Sequence, residues 1–392
     1  SICFKRKKAS SSFFKLVFLQ YFLNFIFIKN YSILINRMIL KRKIDSTLIY
    51  IISLSLFSFF FNQHFGNIGI NPIDSFFSFN AGYDILNGYY PFKDYWTIAG
   101  PFIAFTQASL FKIFGVSWSS YVFQASIYNV IFVLLTFYVF TKFNLNVHFC
   151  FLYSFLLSIL AYPSIGTPYV DHQSTYLSVI SIYIFILALK TNLKIYWLLL
   201  PIIIVISFLT KQAPTAHIFI IISLLSIIYF IFNFNIKKIL FGILGSLLIL
   251  TIFFSTLFFA DIPFSSFLNQ YILFPISLGE SRLEYLFPLE FNRIIGRYKL
   301  LHLSFLLPFA VIIIRTFKDY KYLKSNEFLI LFSLLLMYLA IIVHQLMTIN
   351  GLFIFFLIPI LCGFSHIYYL KYFENKKYIL YLLIFLSICS TI

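Results

Sequence analysis

The run "TLIYIISLSLFSFFFN" (47–62) and the stretch "NPIDSFFSFNAGYDILNGYYPFKDYW" (71–96) together decide the fold. The first is an apolar segment of membrane-crossing character. The second places Asp74, Asp84 and Asp94 among aromatics and small residues just beyond it. Acids are scarce in this chain, twelve in 392 residues, so three in one loop call for a reason. Hydrophobic residues make up 61% of the chain and charged residues 10%. A soluble domain carries about 25% charged residues, so the composition predicts an all-α, polytopic membrane bundle.

Apolar runs of this kind recur, and eleven spans are expected near 47–62, 118–140, 147–162, 174–190, 195–209, 213–233, 239–260, 300–315, 327–346, 351–370 and 378–392. The net charge of +17 lies in short clusters between the runs, which is the form of orientation signals and not of a nucleic-acid surface. With alternating spans and the start of the first span in the cytoplasm, fifteen basic residues fall inside and seven outside, while eight acids fall outside and four inside. The basic bias agrees with the positive-inside rule. Longer outer loops are one sufficient reason for the acidic bias.

Residues 1–43 form a basic N-terminal segment. Its run "FFKLVFLQYFLNFIFI" (13–28) is short and interrupted by Lys15, Gln20 and Asn24. If it crossed, "KRK" at 41–43 would land outside. Residues 1–37 therefore read as upstream translated sequence or an interfacial segment, with Met38 as the natural start. The four cysteines are far apart, without a CxxC pair, and read as apolar filler. No metal site or cofactor is indicated.

Two long outer connections stand out, near 63–117 and 261–299. In the first, Phe76, Phe79, Tyr83 and Leu86 recur at helical spacing behind Pro72 and Asp74, which predicts an amphipathic surface helix ended by Gly88. "GPFIAFTQASLFKIFG" (100–115) predicts a second apolar helix between its glycines. Spacing alone reads Asp74 as an ordinary N-cap.

The order of these features resembles the first outer loop of GT-C glycosyltransferases, in particular the bacterial protein-O-mannosyltransferase and aminoarabinose-transferase-like group. The resemblance continues through "YPSIGTPYVDHQSTYL" (162–177), "SFLTKQAPT" (207–215) and, more weakly, "NGLFIFFLIPIL" (350–361), and covers roughly residues 44–365. It implies a GT-C-like domain over 44–392 and an inverting glycosyltransferase in the cytoplasmic membrane, working on its outer face. Such an enzyme moves a sugar from a polyprenyl-phosphate donor to a lipid, glycan or protein acceptor, and the type is similar to members that use no divalent cation. There are departures. Asp74-Ser75 stands where the family commonly has Asp-Glu, and Ala99-Gly100 stands where many members have a Lys before the Pro. The family's usual large soluble C-terminal domain is absent from this stretch or lies beyond residue 392.

Sugar transfer from a lipid phosphate needs a base for the acceptor hydroxyl and donors for the departing phosphate. The resemblance assigns the base to Asp74. Asp171 is a candidate for orienting acceptor or sugar, the alternative being a solvated loop acid. His172, Asp94 and Tyr90 join it as candidates, although His172 also reads as a polar loop residue. Lys211 and Gln212, at a predicted hairpin tip, are candidates for the donor phosphate, since a lysine at membrane depth is costly. The alternative for Lys211 is a snorkelling interfacial side chain. Arg282 and Lys93 complete the phosphate candidates, with a surface pair to Glu280 or Glu284 as the other reading of Arg282. His344 and Gln345 read as packing residues. Two competing functions are an O-antigen polymerase or ligase, kept open by the 261–299 loop, and a lipid-linked-sugar transporter. The transporter is opposed by the absence of an internal repeat.

Overall fold

A computed structural model describes residues 46–69, 74–287, 290–348 and 353–391, leaving out the side chains of residues 74, 75, 164, 280, 281, 283 and 353. Residues 1–45, including the interrupted apolar run, lie outside the described residues. Tyr50–Ile392 makes one compact unit.

Among the described residues there are fifteen α-helices and no strand: α1 Ser46–Ile68, α2 Asp74–Leu86, α3 Pro101–Phe114, α4 Trp118–Lys142, α5 Val147–Leu160, α6 Val170–Thr191, α7 Lys194–Phe208, α8 Thr215–Phe232, α9 Ile236–Phe259, α10 Phe264–Phe267, α11 Phe274–Glu284, α12 Lys299–Lys318, α13 Asn326–Thr348, α14 Leu357–Tyr372 and α15 Lys377–Thr391. Eight of them (α1, α4, α6, α8, α9, α12, α13 and, with the preceding 3-10 turn, α14) are long and apolar enough to cross a membrane. The remaining three expected spans are the shorter apolar helices α5, α7 and α15. At 1.5 Å per residue these reach about 21–23 Å, less than the roughly 30 Å hydrocarbon core. The chain is thus an all-α, multi-pass membrane helix bundle.

Burial separates the helices by role. In α6, 89% of the span is buried, against 11% in α9. α6 is the axis of the bundle, packed by α4, α7, α8 and α13, and α14 is a second axis among α5, α12 and α15. In α1 only one stripe is buried, Leu54, Ser58, Asn62 and Gly66, four residues apart. A stripe at that spacing lies on one helix face. Asn62 donates to Ser126 Oγ at 2.9 Å and to the Gly166 carbonyl at 3.2 Å. A Cβ at Gly166 (φ +77°) would stand 2.4 Å from Gly66 Cα, so the loop between α5 and α6 lies directly on the end of α1.

The helix ends sort into two groups. One end carries short connections with most of the lysines. There Lys238 donates to Asn192, Asn326 to the Leu189 carbonyl at 3.2 Å, and Lys371 to Glu327 at 2.6 Å. The other end carries residues 87–100, 161–169, 209–214, 260–287 and 290–298. The expected surface helices of the first loop are present there as α2 and α3, packed on each other. Gly100 and Gly115 bound α3, and Gly88 has φ +87° just past α2.

Candidate active site at the loop-rich end

Segments 92–102 and 270–271 meet at the α7–α8 hairpin tip, residues 209–214. Gln212 Nε2 donates to the carbonyls of Ile98 at 3.1 Å and Tyr271 at 2.7 Å. Gly100 lies against the tip so closely that a Cβ there would stand 2.1 Å from the Leu209 carbonyl oxygen and 2.3 Å from that of Thr210. Phe102 N donates to the Leu209 carbonyl at 3.1 Å. From the late segment, Gln270 accepts from Thr97 N at 3.0 Å and donates to the Phe92 carbonyl at 3.1 Å. Phe92 is buried against Phe267 and Tyr271, with φ +67°. A left-handed phenylalanine costs on the order of 1 kcal/mol or more and persists only where its surroundings enforce it.

Beneath the tip, Asp171 in the first turn of α6 is paired with Lys211. His344 Nε2, near the end of α13, lies 3.3 Å from Asp171 Oδ1. Asp171 and His344 are buried and the Lys211 side chain is 21% exposed. Asp171 is therefore a buried ionic partner and not a solvated loop acid, and Lys211 is not a snorkelling side chain. Below them Ser178, Ser207 and Thr215 share hydroxyl contacts of 2.7–3.3 Å that tie α6 to both arms of the hairpin. Ser174 and Thr175 return their hydroxyls to the Asp171 carbonyl. The polar stripe is set by helical spacing, since 171, 174/175 and 178 fall on one face.

The other candidates are distributed around this centre. His172 is buried in α6, stacked on Tyr176 at 5.6 Å and edge-on to Tyr162 and Tyr169, so it is a helix residue and not a loop residue. Asp94 Oδ2 accepts from Tyr90 N at 2.7 Å and closes its own turn. Tyr90 stacks on Phe105 and lines a groove of about 440 Å³ shared with α9 residues. Lys93 pairs with Asp261 at 3.1 Å, with the acid 91% exposed. Arg282 is exposed and, among the described residues, makes no ion pair with Glu284; the Glu280 side chain lies outside them. Asp74 opens α2, and its side chain lies outside the described residues.

Two site residues escaped the sequence reading. His344 was expected to serve packing only, yet it completes the Asp171–Lys211 group; its polar place near a span end was the available signal. Tyr95 is half-buried and feels the charges of both Asp84 and Asp94. Burial pushes its hydroxyl well above the usual value, and the two carboxylates push it the same way. Among the described residues no group of three or more His, Cys, Asp or Glu side chains is arranged to hold a metal.

No protein-family model matches the chain, and no curated protein matches it.

Proposed function

We propose that the chain is an inverting membrane glycosyltransferase that uses a polyprenyl-phosphate sugar and works at its loop-rich end, outside the cytoplasmic membrane. The observation that carries the reading is the convergence at Lys211 and Gln212. Segments that the sequence holds far apart, 92–100, 171, 209–214, 270–271 and 344, meet at one end of the bundle. These include three of the four stretches that carry the family resemblance.

The roles follow from the chemistry. Asp74 takes the proton of the acceptor hydroxyl as it attacks the anomeric carbon. The bond to the carrier phosphate oxygen breaks, and the phosphate leaves with the electron pair. Lys211 and Arg282 stabilise that charge. Because Lys211 already faces Asp171, an arriving phosphate competes for one ammonium, and exposed Arg282 supplies the second positive charge. Asp171 and His344 hold Lys211 in place. The groove beside Tyr90 continues into an apolar pocket of about 260 Å³ between α3, α7 and α9, and receives the first carrier units.

The test is turnover by the purified protein in proteoliposomes, given a radiolabelled polyprenyl-phosphate sugar and an extract containing acceptors. Label moving from carrier to acceptor supports the reading. Label crossing the bilayer while still on its carrier makes the protein a transporter instead.

A further inference from the structure

Lys238 is the most buried cation described, at 4% exposure, and it sits at the lysine-rich end, across the length of α8 from the hairpin tip. Its ammonium donates to Asn192 Oδ1 and to the Tyr229 hydroxyl, and lies 5.1 Å from the Tyr229 ring centroid. Both partners are neutral, and none of the ion pairs among the described residues includes it. An ammonium has three donors, so two acceptors leave one hydrogen over, and only the Tyr229 ring, with no anion, faces the charge. Burying a charge without a counterion is unfavourable.

Lys238 lines the inner end of a groove of about 940 Å³. α8 and α9 both rest on α7 and leave this groove between them. Trp197, Leu200 and Ile204 make its floor, and Ile227, Phe230 and Leu247 its walls. The indole N–H of Trp197 is buried and has no hydrogen-bond partner among the described residues, so a second donor belongs to the lining. Gly245 allows α9 to press on α7, since a Cβ there would stand 2.1 Å from the Leu198 carbonyl oxygen. From Lys238 to Leu250 the groove runs about 18 Å along α9, close to the roughly 15 Å of one leaflet's hydrocarbon. Lys324, 5.1 Å from the Phe232 ring centroid, adds a second cation near the same end.

We infer that this groove binds one anionic phospholipid of the leaflet at the lysine-rich end, its acyl chain along α7 and its phosphate at Lys238. A zwitterionic headgroup leaves the buried charge unbalanced, whereas a net negative one answers it. The groove opens where the positive-inside bias places the cytoplasmic leaflet, the anionic one.

The experiment is native mass spectrometry of the purified chain in detergent with equimolar phosphatidylglycerol and phosphatidylcholine. One phosphatidylglycerol should survive activation that strips phosphatidylcholine. Lys238→Gln should lower its retention about fivefold, the scale of one lysine–anionic lipid interaction. Lys237→Gln, on the exposed neighbour, should not. Leu247→Trp fills the groove while leaving the charge, and should lower retention as well, so the inference stays testable if Lys238→Gln does not fold. Equal retention of the two lipids, or wild-type retention in Leu247→Trp, overturns it. So does displacement of phosphatidylglycerol by equimolar undecaprenyl phosphate, which would make the groove a carrier site.

Discussion

At the loop-rich end Lys211 meets Asp171 with the acid 6% exposed, whereas at the opposite end Lys371 meets Glu327 at 2.6 Å with half of the lysine side chain in the open. The two contacts look alike as ion pairs but differ in kind. A largely exposed pair contributes at most about 1 kcal/mol. A buried pair is coupled to its surroundings, because removing one partner strands a charge. The connections differ in the same sense. The short turns at the lysine-rich end are tied by single contacts, as from Asn326 to the Leu189 carbonyl. The longer segments at the other end are cross-linked through Gln212, Gln270 and Gly100. The proposed chemistry draws on the polar groups gathered at the loop-rich end, while the exposed lysines at the other end match orientation signals.

The largest expected effect tests this contrast directly. Lys211→Met should destabilise the fold by about 3 kcal/mol, the lower part of the range for a buried pair because Lys211 keeps some exposure. The double change Asp171→Asn with Lys211→Met should recover much of that loss. Lys371→Met should cost under about 1 kcal/mol. Denaturant titration in detergent reads all three, and equal losses for the two lysines would erase the distinction between the ends.

Next comes Gly100→Ala. The added methyl meets two tip carbonyls at 2.1 and 2.3 Å, so backbone must move. Overpacking of that kind costs about 1–3 kcal/mol. Gly69→Ala, with nothing within 4 Å, is the matched control in the same outer connection and should be nearly neutral. Thermal shifts of similar size for both would mean that the first loop does not press on the hairpin tip.

A smaller effect is expected from Gln212→Leu, which leaves the Ile98 and Tyr271 carbonyls without their donor. The loss is about 1–3 kcal/mol per stranded group when water cannot reach it, and less at this partly exposed tip. It should appear as faster hydrogen exchange confined to segments 92–100 and 268–274. Uniform exchange across the chain would show that the glutamine ties nothing together.

Least perturbing are single cysteines on a background without the native ones. Asn67→Cys and Asn144→Cys lie on exposed residues at opposite ends. An impermeant thiol reagent should label the first and not the second in intact cells. Labelling of both, or of Asn144→Cys alone, breaks the assignment of sides.

The bundle was legible in the sequence because each span is a long apolar run, a signal that survives ignorance of its neighbours. All eleven expected spans are helices; α3 begins at Pro101 and ends before Gly115 as expected, and α2 begins at Asp74 and ends two residues before Gly88. The expected fourth span starts at 174, with Asp171 in the loop before it; the helix begins at Val170 and carries Asp171 into the bundle, where Lys211 and His344 answer the acid. That pairing joins residues 40 and 173 positions apart, and no local pattern encodes it. Gln212 was visible as a polar residue at a turn, but its carbonyl partners belong to two other loops. Phe92 and Gln270 gave no local sign, since their roles exist only once the loops meet.

The claim that the acid opening α2 does chemistry, and is not simply a helix cap, is tested most directly by Asp74→Asn. An N-cap is served about equally by asparagine and aspartate, while an amide cannot take a proton from the acceptor hydroxyl. The measurement is single-turnover transfer from radiolabelled polyprenyl-phosphate sugar, with Asp94→Asn alongside. The account predicts that Asp74→Asn unfolds at the wild-type temperature, still binds the donor, and transfers at least about a hundredfold more slowly, the lower end of what a positioned base supplies. Asp94→Asn should be milder, because its carboxylate holds the Tyr90 turn. Near-native transfer by Asp74→Asn would contradict the account and leave Asp74 as the residue that starts a helix.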